Sequence, residues 1–395
     1  MAKLLKSRKY VIYLLLLFLL TFFWRATTNA YSTMLPLIAK YQFNFSPSLI
    51  MYLGGIGGIG SFITSFFINQ RVKKVRPYFI SSIALLLLIV ALVPFYTRTN
   101  VWLFILIEGV ATGATSPLII SSAGTVEDPK ERERAIAFYS LALSTSLAVA
   151  PFISSGFLVL TNENLRVSLA MFSALVLISL ISAFFMRLSD RNQAKIKRSG
   201  IINRPGFWKA VAANTIYTFP FVAMTYYGAI LARQAFSVSY SVSVAMYSAF
   251  FITSFLTRFY LTVRPVRSID RSVTLGSVLT VLGLVLVGTH LNLALFLLGY
   301  AILGFPHGLF WPVALIILRR SYRDEEIYAA NSYYISVNNV VWLLTPFISG
   351  LIASFVGISL TFIVVIVPTV AIYIVYAYLA RVSKASGSAT QDHLG

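Results

Sequence analysis

Apolar positions fall into long runs along the chain, and short polar or basic stretches separate them. A run of about 20 apolar residues is what a helix needs to cross the hydrocarbon core of a bilayer. Twelve such spans are predicted. The first six are Tyr10–Ile38, Ser48–Ile68, Tyr78–Phe95, Val101–Ser122, Ile136–Leu160 and Val167–Met186. The second six are Phe207–Leu231, Val242–Leu261, Val273–Thr289, Leu293–Leu318, Tyr328–Val356 and Ser359–Leu379. The pattern predicts an all-α polytopic membrane protein whose twelve transmembrane helices form two pseudo-symmetric six-helix bundles, 1–186 and 207–380. A basic linker, 187–206, joins the two, and the Ser-, Ala- and Gly-containing stretch 381–395 is expected to be a disordered tail. The basic start followed by Val11–Phe23 has the look of a signal peptide. It is read as the first span, because the apolar stretch continues to Ile38 and further spans follow.

The two sets of six repeat each other. Adding 195 to a position in the fourth and fifth spans finds the same residue again: Gly109 and Gly304, Gly113 and Gly308, Pro117 and Pro312, Glu131 and Glu326, Ala135 and Ala330, Tyr139 and Tyr334. The register ends with Pro151 to Ser154 against Pro346 to Ser349. Near the second spans the offset is 193, pairing Phe43 with Phe236 and Ser46 with Ser239. Shared Gly, Pro and Glu in one register point to a real duplication. Two bundles related by an axis along the membrane normal are expected to enclose a cavity and to open it to each side in turn.

Composition sharpens this picture. The 395 residues are 58% hydrophobic and only 11% charged, about half the charged fraction of a soluble domain. There is no cysteine, which excludes thiol chemistry, thiolate metal sites and disulfides. The net charge of +20 invites a nucleic-acid reading, but its placement argues against one. Of the 32 Lys and Arg residues, all but Lys40, Arg98, Arg166, Arg233 and the intraspan Arg25 fall in alternate loops on one side. That is the positive-inside pattern, with both termini in the cytoplasm. The expected location is the plasma membrane, as a monomer.

Between the second and third spans stand Ser65, Asn69, Gln70, Arg71, Val72, Lys73 and Lys74. After the fourth span come Pro129, Glu131 and Arg134. The chain resembles the major facilitator superfamily over nearly its whole length. That family carries G-x-x-x-D-R-x-G-R-R at the first place and P-x-E-x-R at the second. The resemblance implies gating roles for Lys73, Lys74, Glu131 and Arg134, while the family's Asp position holds Asn69 and its second Gly position Val72. On the fifth span, Ser146, Ala150, Pro151, Ser154 and Ser155 resemble the G-x-x-x-G-P-x-x-G-G of the family's drug/proton antiporters, each Gly replaced by another small residue. The family's usual Arg on the fourth helix falls at Ile105, and Glu108 takes a position often filled by Gln. The resemblance also implies that the first, fourth, seventh and tenth helices line the central cavity.

Ionisable residues inside spans are costly and mark function by default. Three lie well within spans: Arg25, Glu108 and His307. At 1.5 Å per residue the depths of Arg25 and Glu108 differ by roughly 9 Å, and the two are expected to face each other across the first bundle. Glu108, the one carboxylate embedded in a span, is the first candidate for proton coupling. His307, between Pro306 and Gly308, is the second, because histidine titrates near neutrality. Arg25, Asn29 and Ser32 share a face of the first helix at i, i+4, i+7. Asn214, Tyr217 and Phe221 repeat that spacing on the seventh. Asn331, Asn338 and Trp342 share a face of the eleventh, with Tyr334 close by, and Trp311, Tyr226 and Tyr227 are expected to add to the aromatic set. The predicted solute-binding residues are Arg25, Asn29, Asn214, Tyr217, His307, Trp311, Tyr334, Asn338 and Trp342.

Such a lining suits an amphipathic solute with a flat or apolar body and a few hydrogen-bonding groups. The expected function is a secondary transporter moving a small solute by alternating access, with proton-coupled efflux as the leading form. Proton-coupled uptake of a sugar or an organic acid is the alternative. In another class stand an integral membrane lipid-modifying enzyme and a scramblase or channel. An enzyme needs acidic or histidine clusters in water-facing loops, where this chain offers Glu163, His290 and a few hydroxyls. No phosphate-cradling Gly-Lys-Ser/Thr loop is present to use ATP. Neither a metal nor a cofactor is called for.

Overall fold

The computed structural model describes residues 2–69, 71–124, 128–186, 200–264 and 266–391. In lipid every backbone N–H and C=O must find its partner within the chain, and helices do this segment by segment. Fourteen helices follow along the described chain. The first half holds α1 (Ala2–Tyr41), α2 (Pro47–Ile63), α3 (Val75–Ala91), α4 (Val101–Gly124), α5 (Pro129–Leu160) and α6 (Leu165–Phe185). The second holds α7 (Pro205–Thr215), α8 (Thr218–Phe236), α9 (Tyr240–Ala245), α10 (Tyr247–Val263), α11 (Ile269–Thr289), α12 (Leu293–Ser321), α13 (Asp324–Val364) and α14 (Ile366–Gln391).

Two predicted spans of the second half are each cut into two helices. The seventh span breaks at Ile216 and Tyr217 between α7 and α8, and the eighth breaks at Met246 between α9 and α10. Conversely, α13 runs past the end of the eleventh span through Gly357, whose φ of 75° ends one helix and starts the next. A side chain there is strained, and glycine adopts this region freely. Twelve predicted spans thus map onto the helices. Ten helical stretches are long and apolar enough to cross a membrane, and two shorter apolar ones, Val75–Ala91 and Ile366–Val382, stand at the third and twelfth places. The third span is shorter than predicted: α3 stops at Ala91, and a 3-10 turn over Val93–Phe95 follows, Pro94 having no N–H to carry the helix on.

The described chain divides into two compact units. The first is Met1–Gln193 with Ser237–Ser248, and the second is Ala194–Phe236 with Ala249–Gly395. Residues 187–199 of the expected linker lie outside the described residues. The backbone of α14 continues to Gln391, through most of the stretch expected to be a disordered tail, and residues 392–395 lie outside the description.

The duplication reappears as local structure. Ser46 and Ser239, one offset of 193 apart, both cap a helix, accepting from Leu49 N and Val242 N, as N-cap serines do. Each also bonds the hydroxyl two residues on, Ser48 at 3.0 Å and Ser241 at 2.8 Å. The repeated glycines have one shared purpose. Gly109 and Gly113 of α4 lie against the backbone of Gly57 and Ser61 on α2, so a methyl at either would overlap that backbone. Gly304 and Gly308 of α12 lie in the same way against Phe250 and Ser254 on α10. Small residues let two backbones touch where lipid supplies no hydrophobic drive between helices.

Gly109→Ala and Gly304→Ala are therefore expected to force these crossings apart, at about 1–3 kcal/mol each. Gly156→Ala, whose added methyl meets nothing within 4 Å, should be neutral or slightly stabilising. Unfolding of the three purified variants in detergent, read as midpoint temperature against the parent, checks the ranking.

Candidate functional site

In the first unit the polar chemistry is concentrated on α1 and α4. Arg25 and Glu108 both lie half-buried within their helices. Glu108 faces α2 across the close crossing, since a methyl on Gly57 would stand 3.7 Å from its Oε2. Each of the two charges lies within electrostatic reach of the other, and Tyr139 of α5 lies within reach of the guanidinium. They do not form the expected ion pair. Ion pairs do form elsewhere, between Arg204 and Glu326 and between Lys209 and Asp270.

The atoms around Arg25 are poorly provided with partners. Its Nε is buried without a hydrogen bond, as are Thr21 Oγ1, Trp24 Nε1 and Asn29 Oδ1 on the same helix. A buried donor or acceptor left unmet costs about 1–3 kcal/mol, and more when it is charged. The other hydroxyls of this stretch are met locally: Thr27 donates to the Phe23 carbonyl, Thr28 to that of Arg25, and Ser32 to that of Thr28.

In the second unit the centre is His307. Its Nδ1 is 2.7 Å from Ser254 Oγ on α10. Its ring lies flat on Phe221, with centroids 4.7 Å and planes 7° apart. Phe250 at 4.9 Å, Phe251 at 5.9 Å and Tyr217 at 6.0 Å complete an aromatic cage. The Tyr217 hydroxyl donates to the Leu303 carbonyl at 2.7 Å. Trp342 meets the edge of Phe221 at 5.5 Å, and Trp311 meets Tyr334 at the same distance. Both tryptophans keep about two-fifths of their surface exposed.

The break in the seventh span is what brings Tyr217 to this cage. Pro220 has no N–H, so the Ile216 carbonyl loses its i+4 donor and the helix opens there. The expected single face of Asn214, Tyr217 and Phe221 is therefore cut: Asn214 sits on α7, Tyr217 in the break and Phe221 on α8. Asn214, buried, donates through Nδ2 to Asn338 Oδ1 at 2.7 Å, and Asn338 Nδ2 donates to the Tyr334 carbonyl at 2.8 Å. The bond between the two amides ties α7 to α13. Ser254, Phe250 and Phe251 were not among the predicted site residues. The offset of 193 that relates Ser61 to Ser254 was a signal for the serine, since 195 relates Thr112 to His307 on the helix it crosses.

Residues 17–268 and 267–393 match the model of the Major Facilitator Superfamily. The chain belongs to that superfamily. No curated protein matches it. Among solved structures it is similar to a bacterial homolog of the human lysosomal transporter Spinster, in an inward-facing and occupied conformation. That likeness has a TM-score of 0.73 at 13% identity and covers 95% of this chain and 97% of that one. It is similar also to PepTSo, a POT family transporter (TM-score 0.75, 12% identity, 94% and 98% covered), and to the nucleoside transporter NupG (0.71, 13%, 93% and 98%). These are likenesses of fold. A superfamily of transporters makes this multi-pass membrane protein a transporter and not an enzyme.

Membership gives the loop between α2 and α3 a specific interest, because Asn69 stands where the superfamily motif has Asp. Asn69 is buried, follows a π-helical turn over Thr64–Ile68, and has both ends of its amide in use. Its Nδ2 donates to the Gly113 carbonyl of α4 at 3.0 Å, and its Oδ1 accepts from Tyr78 of α3 at 2.7 Å. A neutral amide therefore holds α2, α3 and α4 together where an acid would need a cation. Lys73, Lys74 and Arg134 are exposed, and Glu131 is half-buried in the first turn of α5. In the second unit Glu326, the copy of Glu131, does carry an ion pair, a two-pronged one with Arg204, whose guanidinium also lies over the Tyr322 ring.

The Arg204 hydrogen bonds hold the Glu326 carboxyl below its ordinary value of 4.5, and the same contact raises the arginine. A carboxyl depressed in the folded state contributes stability above its unfolded value and loses it as pH falls through the folded one. The gap in unfolding midpoint between the parent and Glu326→Gln is thus expected to be small and constant from neutrality down to about pH 5, then to close towards pH 3. A pH series of thermal melts reads this directly.

Proposed function

We propose that this chain is a secondary active transporter that carries a small amphipathic solute by alternating access, coupled to protons and working in the direction of efflux. One observation carries the reading above the others: Arg25 and Glu108 lie inside the first unit as opposite charges within electrostatic reach but not paired. Two embedded charges held apart are costly, and a solute or a proton that meets one of them changes the balance of the bundle. Glu108 is the group that takes up and releases the proton. Arg25 and Asn29 meet the polar end of the solute.

The second unit has an aromatic site of its own. His307 in its cage of Phe221, Phe250, Phe251 and Tyr217, with Trp342 and Trp311 partly exposed nearby, offers faces for a flat or apolar body. The broken seventh span supports the same reading, since discontinuous helices are where transporters of this kind place their binding groups. Asn214 and Asn338 position α7 against α13. Small residues at Ser146, Ala150, Ser154 and Ser155 around Pro151 favour the antiporter branch by resemblance. Lys73, Lys74, Glu131 and Arg134 serve the opening and closing of the basic end, which lies in the cytoplasm with both termini. The protein works as a monomer in the plasma membrane.

Liposomes with an imposed pH gradient test this. The parent protein is expected to accumulate its solute against a concentration difference, and Glu108→Gln to bind it but equilibrate it only downhill, losing ten-fold or more of the gradient-driven rate. Gradient-driven accumulation that survives Glu108→Gln would sink the proton-carrier assignment. Flux that never saturates would sink the carrier mechanism itself.

A further inference from the structure

Buried polar atoms in a folded protein nearly always have a partner, and clustered exceptions call for an explanation. Four such atoms fall between residues 21 and 29 of α1: Thr21 Oγ1, Trp24 Nε1, Arg25 Nε and Asn29 Oδ1. Thr21, Trp24 and Asn29 are each more than nine-tenths buried. At 3.6 residues per turn the four positions span an arc of roughly 140°, one stripe of the helix. Arg25 and Asn29 are neighbours at i, i+4 on that stripe.

The chemistry of the four atoms is not that of a general polar surface. Trp24 Nε1–H and Arg25 Nε–H only donate, and one of them is cationic. Asn29 Oδ1 only accepts, and the Thr21 hydroxyl does either. Arg25 brings one positive charge, which a single carboxylate neutralises when the nearby Glu108 carries a proton, whereas a doubly charged anion would leave an embedded negative charge unmatched. We infer that this stripe of α1 is a binding subsite for the monoanionic carboxylate of a small organic acid that carries a hydroxyl or N–H donor beside the carboxylate. The carboxylate oxygens accept from Arg25 Nε and Trp24 Nε1, and the adjacent donor meets Asn29 Oδ1. Thr21 completes the set from the turn before. This rests on the transporter reading and narrows it, because it names the head group of the solute.

Mandelate, phenylacetate and mandelamide separate the elements of the claim. The first has both the carboxylate and the neighbouring hydroxyl, the second lacks the hydroxyl and the third lacks the charge. In thermal unfolding of the purified full-length protein, mandelate is expected to protect most, phenylacetate less and mandelamide not at all. Arg25→Gln should weaken mandelate binding ten-fold or more. Asn29→Leu should remove the preference for mandelate over phenylacetate while leaving phenylacetate bound. Ligand-free Trp24→Phe and Asn29→Leu should melt at or above the parent temperature, since each deletes a buried polar atom that has no partner.

Equal protection by mandelamide and mandelate, protection by none of the three, or a fall of several degrees in both ligand-free variants would overturn the subsite. Liposome flux keeps the two claims apart. Mandelate that binds but is never driven by a gradient upholds the subsite and counts against the transporter reading. A neutral or cationic solute driven by a gradient at an unchanged rate in Asn29→Leu overturns the subsite and leaves the transporter reading intact.

Discussion

A bilayer gives no water to a buried polar group, and this one constraint orders the molecule. The backbone meets it by staying helical along most of every predicted span, and most hydroxyls meet it by donating to the carbonyl three or four residues earlier, as Thr64, Thr115, Thr257 and Thr280 do. Against that background the groups that are not met in this way stand out. Arg25, Trp24 and Asn29 on α1 retain polar atoms without partners, and Glu108 lies near an opposite charge without pairing with it. Four of the unmet polar atoms thus lie within nine residues of one helix, and that is where a polar solute gains most.

The two halves share a frame and differ in what it carries. The glycine crossings of α2 with α4 and of α10 with α12 are the same device, placed by the same offsets, and they set the spacing of the helices that hold the site residues. Within that frame Glu108 in the first half corresponds to Leu303 in the second, and Thr112 to His307. At Leu303 the second half uses its backbone, which takes the Tyr217 hydroxyl. It places a stacked histidine where the first half has a threonine bonded to its own helix. One half became charged and the other aromatic, on the same duplicated frame.

Proline and glycine decide where the second half departs from simple helices. Pro220 opens the seventh span at Tyr217, and Gly357 turns the chain between the eleventh and twelfth spans through a positive φ. The first of these breaks matters for the site, because the freed turn lets Tyr217 reach α12 and closes the cage around His307. At the other end of the chemistry, Asn69 shows that a helix junction which the superfamily motif builds on an acid is held here by an uncharged amide.

Much of this was legible in the chain itself. Span length, the basic-loop asymmetry, the duplicated register of Gly109, Gly113, Gly304 and Gly308, and the inventory of embedded ionisable residues are local or periodic properties, and lipid imposes them residue by residue. Partner choice was not legible. Arg25 and Glu108 looked like a pair from their depth, yet helix packing leaves them apart. His307 takes Ser254 from a helix more than fifty positions away, and the face expected on the seventh span is cut at Tyr217. Each of these outcomes depends on which side chains two helices bring within about 3 Å of each other, and that distance is set by close packing across the bundle rather than by spacing along the sequence.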